Sequence, residues 1–233
     1  MNFTTPPLPY QWPYLPRMTS ESCKHYASIE LPGLTGLWNL EAFSSLIFSE
    51  PEKQSKLPFG RGGTIRSGQL VLRPYKRGGL IRYINTNIYH GTTRFQQEFC
   101  VHNAIWKSGL PTVKPIGWAF KSNKFGNEGV FLTKFADGIP WPQTWNKSEE
   151  FLQELTTMLK ALCSWGLYSP DLNATNILVT PDKGLVALDW DKARWSRSSD
   201  LMTYYRERLI RSMKKLGAKT DVVLKVQNYI KNN

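Results

Sequence analysis

The residues whose types and spacing suit chemistry lie in two short strings, Leu167-Tyr-Ser-Pro-Asp-Leu-Asn-Ala-Thr-Asn-Ile-Leu-Val-Thr180 and Val186-Ala-Leu-Asp-Trp-Asp191. Phosphoryl transfer to a hydroxyl needs a carboxylate to take the hydroxyl proton and, four intervening residues later, a carboxamide to bind Mg²⁺. Asp171 and Asn176 have that spacing. A second metal-binding carboxylate must follow at the end of an apolar strand. Leu185, Val186, Ala187 and Leu188 deliver Asp189 there, with Trp190 in the place of the Phe of an Asp-Phe-Gly string. Each half alone has a plainer reading, since Asp and Asn are common turn residues and Ile-Leu-Val is ordinary core material. Both halves in this order, preceded by a helix, match a kinase catalytic loop and its metal-binding strand end better than they match packing needs.

Such chemistry also needs a cover over the nucleotide phosphates, a cation reaching the α- and β-phosphates, and a helix Glu to hold that cation. Gly60, Gly62 and Gly63 can form the cover, because glycines let backbone amides approach an anion closely; a simple hairpin turn is the alternative. Arg73 closes the apolar run Leu70-Val-Leu where a kinase places its strand lysine, and Glu98 falls in the helix that follows. Arg in place of Lys matters chemically, a planar fork replacing a point charge. Lys76 competes for the phosphate contact, and two solvated surface charges are the plain reading of Arg73 and Glu98.

The elements that must position these residues can be traced along the chain. Met1 to Arg17 is rich in Pro and aromatics and reads as an extended arm. Thr35 to Phe48, with Leu37, Leu40, Phe43 and Ile47, has helical spacing. Gly60 to Thr64, the strand Gln69 to Tyr75 and the turn Lys76 to Gly79 read as a hairpin. Thr92 to Lys107 reads as a helix ended by Ser108-Gly109, and Pro115 to Phe120 and Gly129 to Phe135 as paired strands ending in a linker at Ala136-Asp-Gly138. From Ser148, read as an N-cap, apolar positions recur at helical intervals to Gly166 and lead into the catalytic loop. From Arg197 onward the chain reads as helical and basic, with Gly217 separating a final helix. The fold class is therefore α+β: a bilobal protein-kinase-like fold with residues 1–17 as an arm, 18–135 as a small β-rich N-lobe and 136–233 as a helical C-lobe.

A chain of 233 residues with a net charge of +12 suits one two-lobed unit whose surface is drawn to polyanions. Cys23, Cys100 and Cys163 are widely spaced and indicate neither a disulfide framework nor a zinc site. His25, His90 and His102 are scattered, and His102 reads as a packed or surface residue of a helix. No run approaches the ~18 apolar residues of a membrane span, so the expectation is a cytosolic protein, peripheral at a membrane. The aromatics fall mostly in helices and apolar strands rather than as platforms between basic residues, so no nucleic-acid partner is expected.

Three strings, Val71-Leu-Arg-Pro-Tyr-Lys-Arg-Gly-Gly-Leu80, Gly109-Leu-Pro-Thr-Val-Lys-Pro-Ile116 and Asp171-Leu-Asn-Ala-Thr-Asn-Ile-Leu178, resemble the lipopolysaccharide core kinases that act on Kdo (3-deoxy-D-manno-octulosonic acid) and heptose. The resemblance, which also takes in Leu188-Asp-Trp-Asp-Lys192, implies a eukaryotic-like kinase fold with ATP and Mg²⁺ as cofactors. It further implies phosphorylation of a Kdo hydroxyl on a lipid A-linked glycolipid at the cytoplasmic face of the bacterial inner membrane. On that resemblance Asp171 is the catalytic base, Asn176 and Asp189 hold the metal, adenine meets the backbone near Thr133 to Phe135, and Asp191 is a loop acid or binds a second metal or a substrate group. One departure stands out: Ser169 occupies the place where the family has a His two residues before the catalytic Asp, which implies a retuned loop. Two rival readings remain at this point: a kinase of another small-molecule or protein hydroxyl, without an Ala-Pro-Glu segment after Asp189, and a catalytically weak pseudokinase that binds polyanions.

Overall fold

The computed structural model describes residues 26–31, 34–39, 54–56, 64–76, 88–182, 184–196 and 200–233. Gly60, Gly62 and Gly63, the Pro-rich arm, Cys23, His25 and most of the 76–79 turn lie outside them. The described residues form two compact units, one made of those up to Asn103 together with Lys114–Phe135, the other of Ala104–Val113 and those from Ala136 onward.

The first unit is built on one antiparallel sheet. Its strands are β1 (Tyr26–Leu31), β2 (Leu34–Asn39), β3 (Gln54–Lys56), β4 (Ile65–Ser67), β5 (Leu70–Pro74), β6 (Ile88–Tyr89), β7 (Pro115–Asn123) and β8 (Gly126–Lys134). They run in the order β1-β2-β7-β8-β5-β4-β3, with β6 added on β8. The helical reading of Thr35 to Phe48 is corrected here: Thr35 to Asn39 belong to β2, in register with both Tyr26–Leu31 and Gly117–Phe120. Leu37 and Leu40 do have helical spacing, yet Gly36 costs a helix about 1 kcal/mol and Thr35 and Trp38 favour a pleated ladder, so sheet pairing wins. The hairpin around β5 turns at Gly68-Gln69, with Gly68 at φ 57°, and pairs Ile65 with Leu72.

Helix α1 (Thr93–Lys107) buries Phe95 and Phe99 against Tyr75, Tyr89, Trp118 and Phe131. Each such ring contributes about 1.5–3 kcal/mol by leaving water. Phe95 fits because Gly129 lies opposite it on β8: a Cβ there would meet the ring at 2.4 Å. His102 is buried in the same helix and stacks on Phe131 with centroids 5.5 Å apart.

The second unit is mainly helical. After β9 (Ile139–Pro140) come two 3₁₀ segments, Trp141–Gln143 and Trp145–Phe151, then α2 (Leu152–Ser164), α3 (Leu201–Lys215) and α4 (Thr220–Asn232). Ser148 is not an N-cap, as the sequence suggested. It is buried inside the second 3₁₀ segment, where its Oγ accepts from Trp141 Nε1 at 2.8 Å and donates to the Trp145 carbonyl at 2.6 Å. Packing around Trp141 thus delays the α-helix by one turn. Helix α2 then buries Leu152, Leu155, Met158, Leu159 and Leu162, the i, i+3, i+4 stripe visible in the sequence. It stops at Gly166, whose φ of 64° and close approach to the Ser196 carbonyl, 2.8 Å from a would-be Cβ, exclude other residues. Short strands complete the unit: β10 (Leu167–Tyr168) pairs with β13 (Arg194–Trp195), and β11 (Ile177–Val179) lies between β9 and β12 (Leu185–Ala187).

Candidate active site

In the sheet unit, β5 presents Arg73 and α1 presents Glu98, and the two form a salt bridge. The Glu98 side chain is 1% exposed and that of Arg73 31%, so the carboxylate lies inside the unit while the guanidinium keeps an outer face. Arg73 also lies 5.6 Å from the centroid of Phe131 and 5.7 Å from that of Tyr75. These are not two solvated surface charges. Lys76, two residues past the end of β5, is exposed.

In the helical unit the loop between β10 and β11 carries Asp171 and Asn176. The Asp171 carbonyl accepts from Asn176 Nδ2 at 2.7 Å and from Asn173 Nδ2 at 2.9 Å, closing the loop on itself. Asn173 in turn accepts from Thr175 N–H at 2.9 Å and so caps the 3₁₀ turn Ala174–Asn176. Because the Asn176 carboxamide gives its N–H to the loop, its Oδ1 is the atom left to face a cation. The antiparallel pairing of β11 with β12 sets Ile177 opposite Ala187, and one step further Leu188 N–H donates to the Asn176 carbonyl at 2.7 Å. Asn176 and the chain entering Asp189 are therefore neighbours by strand register.

Asp189 has φ 63° and Lys192 φ 72°, both in the left-handed region that non-glycine residues avoid. Trp190 between them is 1% exposed, and its Nε1 donates to Thr112 Oγ1 at 2.8 Å. Thr112 Oγ1 donates to the Ala187 carbonyl at 2.8 Å, and Ala187 N–H to the Pro111 carbonyl at 2.8 Å. The residue replacing Phe of Asp-Phe-Gly thus acts as an anchor: indole burial and the Thr112 bond hold a turn that strain of about 1–3 kcal/mol per residue would otherwise relax. Thr112 lies in the Gly109–Ile116 string that carries the resemblance, but its bond to Trp190 was not anticipated.

Neither were the groups around the Asp171 carboxylate. Lys192 Nζ lies 3.4 Å from one carboxylate oxygen and Arg208, from α3, 3.8 Å from the other. Ser169 is 1% exposed; its N–H donates to Tyr205 Oη at 3.0 Å, and Tyr205 Oη donates to the Leu167 carbonyl. Tyr205 on α3 therefore ties down the chain entering the loop that carries Asp171, and burial pushes its phenol up. Nearby, burial and the bond to Tyr168 push the Tyr204 phenol up to about 12. The signal for Tyr205 was present in the α3 stripe Leu201, Tyr205, Leu209 and Met213. Arg206, Arg208 and Arg211 on the same helix make it read also as a basic surface.

The donor set near Asn176 and Asp189 is made of oxygens, a carboxamide and a carboxylate, which suits a hard cation such as Mg²⁺. Among the described residues no group of three or more His, Cys, Asp and Glu could hold a metal ion, so protein ligation here would rest on the one carboxylate and the one carboxamide.

Residues 39–215 match the lipopolysaccharide kinase (Kdo/WaaP) family. The chain belongs to this family. Membership and the mixed sheet-and-helix architecture together give the α+β, kinase-like fold class read from sequence. Among relatives, the 3-deoxy-D-manno-octulosonic acid kinase of Xylella fastidiosa strain M12 is 27% identical over 166 residues, 66% of this chain and 66% of that protein. The kinase of the same name from Vibrio parahaemolyticus is 26% identical over 182 residues, 73% of this chain and 76% of that protein. The similar stretch thus spans just under two thirds of the Xylella kinase's length. A co-crystal structure of WbdD with the kinase inhibitor LY294002 has 13% identity over 72% of this chain and 43% of that one, with a TM-score of 0.43. In this lipopolysaccharide kinase family member, the Asp171, Asn176 and Asp189 group and the Arg73–Glu98 pair fall within the matched residues. No helix among the described residues is long and apolar enough to cross a membrane.

Proposed function

We propose that this lipopolysaccharide kinase family member transfers the γ-phosphoryl group of Mg-ATP to a hydroxyl of a Kdo sugar on lipid A. The observation that carries this reading is the closed loop in which both Asn173 and Asn176 donate to the Asp171 carbonyl. That arrangement fixes the carboxylate and the Asn176 oxygen on one short, rigid segment. Asp171 takes the proton of the acceptor hydroxyl as its oxygen bonds to phosphorus and ADP leaves. Asn176 and Asp189 hold Mg²⁺, which when bound neutralises charge on the phosphates. Arg73, steadied by Glu98, supports the α- and β-phosphates, with Lys76 as the competing cation for that contact and Gly60, Gly62 and Gly63 as the expected backbone cover. The surplus of 30 Lys and Arg over 18 Asp and Glu favours peripheral attachment to the anionic leaflet where such an acceptor resides.

The test is labelled phosphate transfer from γ-labelled Mg-ATP to Kdo-bearing lipid A, beside lipid A without Kdo. Label confined to the Kdo-bearing lipid supports the reading; label in neither lipid, with nucleotide bound, overturns it.

A further inference from the structure

We infer that Lys192 and Arg208 recognise the carboxylate of the acceptor sugar and hold it beside the hydroxyl that Asp171 deprotonates. The inference rests on the sugar-kinase reading above and adds to it the side chains that select an anionic sugar.

Three observations carry it. First, the distances: 3.4 Å from Lys192 and 3.8 Å from Arg208 to the two Asp171 oxygens exceed the ~2.7–2.9 Å of a charge-assisted hydrogen bond, so Asp171 does not saturate either cation. Lys has three donors and Arg five, and the buried Nε–H of Arg208 has no hydrogen-bond partner among the described residues. Second, the charge: Lys192 and Arg208 together bring two positive charges to the single negative charge of Asp171, and an acceptor anion seated between them supplies the second negative charge. Third, the investment in place: Lys192 reaches Asp171 from a left-handed backbone at φ 72°, in a turn closed by Ala193 N–H on the Trp190 carbonyl at 3.0 Å. Strain of this kind persists where the surroundings impose it, and here it aims an ammonium at the reacting carboxylate rather than into open water. Both cations remain reachable, with 53% of the Lys192 side chain and 32% of that of Arg208 exposed, while Asp171 is 17% exposed. One turn before Arg208 on α3, the half-buried Tyr204 packs on Tyr168 with ring centroids 4.8 Å apart, an aromatic wall against which a sugar ring fits.

The experiment is a cycle of steady-state kinetics crossing the wild-type chain and Arg208→Gln with two acceptors, Kdo-bearing lipid A and the methyl ester of its Kdo carboxylate. Esterification raises the wild-type acceptor KM by about ten- to a hundredfold, and Arg208→Gln raises it comparably. The ester and the variant together lose little more than either alone, because each removes the same contact. KM for ATP stays within about twofold, and Arg208→Lys recovers part of the loss. A merely structural role for Arg208 would make the two losses multiply. Multiplying losses, an unchanged acceptor KM, or a rise confined to the ATP KM would each overturn the inference while leaving the sugar-kinase reading in place. A wild-type chain that labels neither acceptor would overturn both. Should Arg208→Gln lose its helical circular dichroism, Lys192→Met, changed at a half-exposed side chain, carries the same cycle with the same outcomes.

Discussion

At the scale of single residues, the candidate site depends on atoms held by hydrogen bonds that leave one functional oxygen outward. Asn176 shows this best: its amide nitrogen is used by the loop, and its oxygen remains for a cation. Replacing Asp189 by Asn should therefore weaken Mg²⁺-dependent nucleotide binding by at least tenfold while metal-free binding changes little, as read by titration calorimetry with and without Mg²⁺. Glu154 gives a prediction of a different kind. Its carboxylate accepts from Leu185 N–H at 2.8 Å, yet burial, together with the neighbouring Asp182, raises its affinity for protons in the folded chain. A raised folded value means that the folded chain binds more protons than the unfolded chain through the upper carboxylate range. Stability contributed by this group is present in acid and lost as pH rises through that range. Glu154→Gln should accordingly flatten the fall in thermal midpoint between mildly acidic and neutral pH. A variant whose midpoint follows pH as the wild type does would contradict the assignment.

At the scale of elements, close approaches do more than propensities. Gly129→Ala pushes a methyl into the Phe95 ring, which is fully buried, and should cost about 1–3 kcal/mol, seen as a lower denaturant midpoint with an unchanged slope. Tyr205→Phe removes the hydroxyl that bonds both the Leu167 carbonyl and Ser169 N–H, leaving buried backbone groups unpaired. About 1–3 kcal/mol of stability should go with it, and turnover should fall more than ATP affinity. The elements that were legible in sequence are those whose periodicity is strong or whose spacing is chemical: the α2 stripe, α1 with its Ser108-Gly109 stop, and the Asp171 to Asp189 loop and hairpin. What was hidden depended on partners far along the chain. Thr35 to Asn39 became a strand because Tyr26–Leu31 and Gly117–Phe120 supply ladders on both sides, which helical spacing in a short window does not register. Ser148 looked like a cap because its neighbours are acidic; its actual partner is the Trp141 indole seven residues back. Thr112 reaches Trp190 and Arg208 reaches Asp171 from 78 and 37 positions away in sequence, and no local pattern encodes that.

At the scale of the whole molecule, charge and division into units matter most. The Arg73–Glu98 pair belongs to the sheet unit and the Asp171, Asn176 and Asp189 group to the helical unit, so each half of the proposed chemistry is built on its own core. The net charge of +12 predicts binding to vesicles containing anionic lipid that falls steeply as added salt shortens the Debye length from about 30 Å at 0.01 M to about 3 Å at 1 M. Co-sedimentation across that series measures it, and salt-independent binding would point to apolar insertion instead.

Quenched-flow single turnover with γ-labelled Mg-ATP and Kdo-bearing lipid A tests whether Asp171 is the base of a phosphoryl transfer to a sugar hydroxyl. Asp171→Asn should bind ATP as the wild type does and transfer label to the lipid about 10²- to 10⁴-fold more slowly. Transfer at the wild-type rate in that variant would mean that Asp171 is not the base.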